Sequence, residues 1–171
     1  MNRILNLDNI QTKSKIFIDS TIFIYHFTGV SEQCSEFLKR CEGKEVKAFS
    51  SVNVLLEVLH RLMMVEVVRK NLLKPPNLVK KLQKKPHLIK DLDEYFTNTK
   101  KIPEMGIEIV PLDHKSFLDS QHFRKDYGLL VNDSLILSVM KSKKIKNLAT
   151  NDDAFLSVEI FHVYQPNDLM I

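Results

Sequence analysis

The segment Lys15-Ile16-Phe17-Ile18-Asp19-Ser20-Thr21-Ile22-Phe23-Ile24-Tyr25 decides how the rest of the chain is read. Three consecutive large apolar residues, Ile16 to Ile18, leave no polar face, which is the pattern of a strand buried on both sides in a parallel sheet. The run stops at Asp19, and Ser20 and Thr21 then open a helix through Ile22 to Phe27 that Gly29 closes. A strand that passes to a helix at a carboxylate places that carboxylate on the carboxyl edge of the sheet. Ligands of open α/β sheets gather along that edge, where the strand order reverses.

Downstream, Ser31 opens a second helix with Cys34, Phe37, Leu38 and Cys41 at helical spacing and Gly43 as its stop, and Val46 to Phe49 predicts a second strand. Ser50 and Ser51 are expected caps for a long helix from Val52 to Asn71, whose stripe Val54, Leu55, Val58, Leu59, Leu62 and Met63 faces inward. Glu57 falls about 60° beyond that stripe, beside Asn53, His60 and Arg61. Lys74-Pro75-Pro76 ends the helix, and residues 74–101 then carry eight lysines against Asp91, Asp93 and Glu94. Pro86 divides this basic insertion into an expected helical pair, with Tyr95 and Phe96 read as core contacts. Its lysines read either as a solvated face or as contacts to a phosphate backbone.

Gly106 releases a third strand, Ile107 to Val110, and Asp113 can cap a helix containing Phe117, Leu118 and Phe123. From Leu129 to Lys144 a helix is apolar nearly all round, with Asn132 and Asp133 at its start. Asn147 to Thr150 makes a fourth strand, Asn151 to Phe155 a turn, and Ile160 to Val163 a fifth strand. Strands alternating with helices predict an α/β fold with a central, mainly parallel five-stranded sheet flanked by helices. The 171 residues, 44% hydrophobic, fit a single domain over 1–171.

The net charge of +4 leans toward a polyanionic partner without requiring one. Cys34 and Cys41 stand two helical turns apart, roughly 10 Å, too far for a disulfide within one helix. They read as reduced thiols of a cytoplasmic protein. Met1 to Ser14 lacks the continuous apolar core of a signal peptide, and no later run reaches the roughly 18 apolar residues that cross a bilayer, so no membrane role is expected.

Four acids remain. Taken singly, Asp19, Asp133 and Asp152 read as helix caps before metal ligands, and Glu57 as a solvated helix residue. Together, three Asp in short polar gaps and a Glu flanking a core helix form the pattern of a carboxylate cage. Two carboxylates about 4 Å apart repel by roughly 4 kcal/mol at an effective dielectric of 20, so a cage must take up protons, basic partners or cations. Oxygen ligands without a His and Cys set favour Mg²⁺ or Mn²⁺. A metal-bound water beside a carboxylate is a nucleophile suited to phosphorus. No Gly-rich phosphate loop of the Walker type is present.

Phe17-Ile-Asp19-Ser-Thr followed by Ile22-Phe-Ile-Tyr25, Glu57 after the second strand, Asn132-Asp133-Ser-Leu-Ile136, and Leu148-Ala-Thr150-Asn-Asp152 resemble the successive motifs of PIN-domain nucleases, and in size and order the VapC-type toxins. The resemblance covers about residues 15 to 165. It implies a PIN-like domain with Asp19 and Asp133 as principal metal ligands, and Glu57 and Asp152 completing the catalytic site around Mg²⁺ or Mn²⁺. Thr150, Ser20 and Asn132 would be neighbouring polar groups. The implied activity is metal-dependent hydrolysis of RNA, by the toxin of a toxin-antitoxin pair that forms a homodimer and is neutralised by a cognate antitoxin. Thr21 stands where the family often has Asn, Ala154 where a further acid is frequent, and Asp153 is a less favoured substitute for Asp152. The 76-residue interval from Glu57 to Asp133 is long for a minimal toxin, which keeps an RNA-processing nuclease or a non-catalytic RNA- or protein-binding scaffold as alternatives. An aspartate phosphatase of the haloacid dehalogenase type wants a second Asp where Thr21 stands.

Overall fold

The structure is a computed structural model and describes residues 4–169. Its centre is β2 (Lys15–Ile18), whose Ile16, Phe17 and Ile18 are fully buried, as an unbroken apolar run demands. On one side lie β3 (Lys47–Ser51) and then β4 (Ile107–Val110), and on the other β5 (Asn147–Ala149), β6 (His162–Gln165) and β1 (Leu5–Asn6). All pairings are parallel, in the order β1-β6-β5-β2-β3-β4. The order reverses at β2, so the carboxyl ends of β2 and β5 border the switch point.

The sheet has six strands rather than five. The additional β1 is two residues long, with Leu5 opposite Tyr164 and Asn6 opposite Gln165, and so short a strand leaves no periodicity to read. The last strand begins at His162 and not Ile160, whose side chain is exposed.

Helices α1 (Ser20–Thr28) and α2 (Glu32–Glu42) follow β2, and Ser31 caps α2 by accepting from Cys34 N–H. Cys34 and Cys41 are free and buried, and burial pushes their thiols up to about 11 and about 12. After β3 comes α3 (Val52–Arg69), packed against the sheet through Val54, Val58 and Leu62. Ser50 and Ser51 do not cap it. They belong to the end of β3, where Ser50 Oγ donates to the Ile18 carbonyl at 2.9 Å and Ser51 Oγ to Asn53 Oδ1 at 2.5 Å.

The basic insertion forms three short helices rather than a pair: α4 (Leu78–Gln83), α5 (Pro86–Lys90) and α6 (Glu94–Lys100). A second small core of Val67, Leu73, Leu82 and Leu92 holds them against α3. The extra break is made from a distance, because the buried Glu66 carboxylate of α3 accepts from the N–H groups of Asp93 and Tyr95 at 3.1 and 2.9 Å and so caps α6. Tyr95 packs against both cores, but Phe96 points outward and is mostly exposed. Finally α7 (His114–Tyr127), capped by Asp113, runs beside α8 (Val131–Ser142), whose residues from Ile136 to Met140 are all buried. Among the described residues no helix is long and apolar enough to cross a membrane.

Candidate active site

Asp19 occupies the helix start after β2, yet its side chain caps nothing. It is turned inward instead, 4% exposed, and its Oδ2 accepts from Thr150 Oγ1 at 2.8 Å and from Thr21 Oγ1 at 3.1 Å. Each hydroxyl that donates to Asp19 also accepts a backbone N–H: Thr150 from Asp152 at 3.0 Å, and Thr21 from Asn151 at 3.0 Å. Two threonines thereby pin the loop after β5 to the carboxylate at the end of β2. Asn151 completes the tie by donating its amide to Tyr25 Oη at 3.1 Å. Ser20 is buried beside Asp19 and gives it a backbone N–H.

Glu57 projects from α3 and is placed by a chain of side-chain hydrogen bonds. Ser51 donates to Asn53, the Asn53 amide donates to Asn132 Oδ1 at 2.8 Å, and the Asn132 amide donates to Glu57 Oε2 at 2.6 Å. The relay spans β3, α3 and α8. It fixes the orientation of both amides, since each offers its oxygen to one neighbour and its nitrogen to the next.

Asp133 is the third residue of α8, where its carboxylate accepts from the backbone N–H of Leu130, one half of a capping box. Its carboxyl is pushed up to about 6 by burial first, then by the negative charges of Asp152, Asp19 and Glu57. Asp19 is likewise raised, chiefly by burial and also by the charge of Glu57, against the lowering bonds from Thr150, Ser20 and Thr21. Asp133 therefore lies within the field of the other three acids, and Asp19 within that of Glu57.

Asp152 does cap, accepting from Ala154 N–H at 2.9 Å. Its neighbour Asp153 is exposed, takes a bond from Gln165 at 3.1 Å, and is not among the charges that raise Asp133. Among the described residues no lysine or arginine forms an ion pair with any of the four acids. Arg124, a helix away, directs one guanidinium nitrogen to Ser120 and Ser134.

Uncompensated carboxylate oxygens without a basic partner are the donor chemistry of a hard divalent cation. They do not already close on one point, since no three His, Cys, Asp or Glu side chains among the described residues stand as a formed metal site. The residues fit such an ion by charge and chemistry. Asn53 and the hydrogen-bonding role of Thr21 are what the sequence reading lacked. The signal for Asn53 was there, a polar residue beside Glu57 on the flank of a core helix, buried in the structure.

A family model described as PIN domain matches residues 16–160, nearly the whole chain. The chain belongs to the PIN-domain family. It is 31% identical over 157 residues to Ribonuclease VapC2 of Methanocaldococcus jannaschii, covering 90% of this chain and 95% of that one. Among solved structures the fold is similar to VapBC2 from Rickettsia felis bound to a DNA fragment from their promoter, with a TM-score of 0.57 and 16% identity over 88% of this chain and 98% of that one. It is also similar to VapC20 of Mycobacterium tuberculosis, described as a sarcin-ricin loop cleaving toxin, with a TM-score of 0.55 and 12% identity over 83% and 93% of the two chains.

Proposed function

We propose that this chain is a divalent-metal-dependent ribonuclease of the VapC type, acting in the cytoplasm as the toxin of a toxin-antitoxin pair. The observation that carries the reading is the set of four acids at the switch point, where burial and then the charges of Asp152, Asp19 and Glu57 raise Asp133 and where, among the described residues, no lysine or arginine forms an ion pair with any of the four. The name of the archaeal relative and the PIN family model support the choice of RNA. The domain is taken as 1–171, with residues 74–101 as a basic helical insertion.

Asp19 and Asp133 would hold Mg²⁺ or Mn²⁺, with Glu57 and Asp152 completing the acidic lining. When bound there, such an ion would supply positive charge that lowers the pKa of a water and offsets charge on the phosphodiester. The chain's own part is positioning. Thr21 and Thr150 keep the Asp19 carboxylate in one rotamer, and the Asn132 amide holds Glu57 Oε2 so that its carboxylate can orient a water. A groove of about 930 Å³ beside the site is lined by Thr21, Glu57, His60 and Arg61 and continues over Ile24, Met64, Val65 and Val68. This exposed apolar strip supports an antitoxin segment as partner, and the exposed Leu130 and Val131 support pairing with a second copy of the chain.

Incubating purified protein with mixed cellular RNAs and Mn²⁺ should yield defined fragments, and EDTA should prevent them. Cleavage that persisted in EDTA would refute the mechanism. Within that assay Asn53→Ala should lower kcat roughly 10- to 100-fold with KM little changed, the scale seen when an outer hydrogen-bonding partner is removed. A melting temperature close to wild type would separate this loss of orientation from a loss of fold.

A further inference from the structure

The insertion contains a second charged feature, of opposite sign to the acid site. Two of its three acids are taken up at the end of α3: Glu94 pairs with Arg69 and lies 3.9 Å from Lys70, and Asp93 lies 3.7 Å from Lys70. None of the eight lysines from Lys74 to Lys101 forms an ion pair among the described residues. Four of them, Lys74, Lys81, Lys84 and Lys85, line one depression of about 420 Å³ against the chain at Asn71 to Leu73. Lys81 is held there by donating to the Lys74 carbonyl at 2.7 Å.

Lys81 lies in α4 while Lys84 and Lys85 lie in the break between α4 and α5, and holding these like charges along one depression carries a local electrostatic cost. The cost is borne by a rigid mount, because the small core under α4 and the Glu66 cap on α6 fix the insertion to α3. The depression also differs from the apolar groove. Leu78 and Val79 of α4 line the groove that holds Glu57, whereas Lys81 and Lys84 line the depression. No aromatic residue lines the depression, and Leu73 is buried beneath the lysines, so it lacks the aromatic anchors that protein interfaces concentrate at their centres. The groove and the depression are joined by α3, along which Glu57 and Arg69 are about 18 Å apart.

We infer that the lysine depression formed by Lys74, Lys81, Lys84 and Lys85 binds the phosphate backbone of the RNA substrate several nucleotides from the bond being cut. The inference rests on the ribonuclease reading for the identity of its polyanion. Phosphate contacts of this kind position a strand and carry no sequence information, so they would raise affinity for any RNA long enough to span both sites.

The test measures binding of a fluorescent single-stranded RNA to the full chain carrying Asp19→Asn, across a range of salt concentrations in EDTA. Each lost phosphate contact on a single strand lowers the slope of log affinity against log salt by about 0.7. The triple variant K81Q/K84Q/K85Q should therefore lower the slope by about 2, and K84Q/K85Q, which leaves the Lys81 bond to Lys74 intact, by about 1.4. K143Q/K144Q/K146Q, an equal charge change just before β5 at the opposite edge of the sheet, should leave it unchanged. Equal slopes in wild type and both insertion variants overturn the proposal, and so does an equal loss in the β5-edge variant. Unchanged RNA binding together with weakened binding of an acidic protein would likewise overturn it in favour of a protein contact. The cutting reading is judged separately: if the slopes shift but wild type never cleaves, the ribonuclease falls and the RNA site stands. If cleavage is metal-dependent and the slopes coincide, the reverse holds.

Discussion

Asp19→Asn should abolish metal-dependent cleavage, by a factor of about a thousand or more, while leaving the fold standing. Losing several kcal/mol of charge stabilisation at a metal-assisted centre corresponds to that factor. The fold is spared because Asp19, at the N-cap position of α1, makes no side-chain cap bond, and its Oδ2 accepts two hydroxyls that an amide oxygen can also accept. The substitution also removes a charge that burial and Glu57 disfavour. Melting in EDTA should therefore be unchanged or slightly higher than in wild type. Added Mn²⁺ should raise the wild-type melting temperature, as a ligand specific to the folded state does, and should raise that of the variant far less. A variant that kept both the cleavage and the Mn²⁺-dependent rise would remove Asp19 from the site.

The second large effect is on pH. Asp133 has its carboxyl raised to about 6, so below that value a proton occupies an oxygen that a cation needs. Mn²⁺ affinity measured by calorimetry should fall about tenfold per pH unit below pH 6. Metal-free stability responds with the opposite sense. A group whose folded value is raised contributes stability that is full below its unfolded value near 3.8 and is lost as pH rises through about 6. Asp133 thus favours the folded state in mild acid, on the order of 1 kcal/mol once solvent screening is allowed for. Glu66 and Asp168 act the other way, because their backbone and side-chain hydrogen bonds outweigh burial and lower them. Comparing wild type with Asp133→Asn across pH 4 to 7 in EDTA isolates the Asp133 contribution. An identical pH dependence in the two would show that its carboxyl is not raised.

The framework of the fold was legible because its signals are local. Ile16 to Ile18 announces a central strand, Gly29 ends a helix in left-handed backbone, and strands separated by helices pair in parallel. The four acids could be proposed as a set because each follows or flanks such a signal. What escaped reading depends on partners distant in sequence. Ser51 looks like a cap but serves Asn53, and Thr21 looks like a departure from the family but ties Asn151 to Asp19. Asp93 starts a helix because Glu66, 27 residues earlier, satisfies its N–H. A single sequence states which residues are polar, but not which of them meet.

The placement of β5 beside β2 also governs when the site can exist. Thr150 and Asp19, whose hydrogen bond orients the first carboxylate, are separated by 131 positions in the chain. A growing polypeptide that has already folded α1 to α3 holds Asp19 and Glu57 but has neither the hydroxyl nor Asp152 to complete the constellation. Contacts this remote form late, after the intervening chain has been ordered. The proposed site is therefore incomplete until Thr150 and Asp152 have been made and β5 has paired with β2.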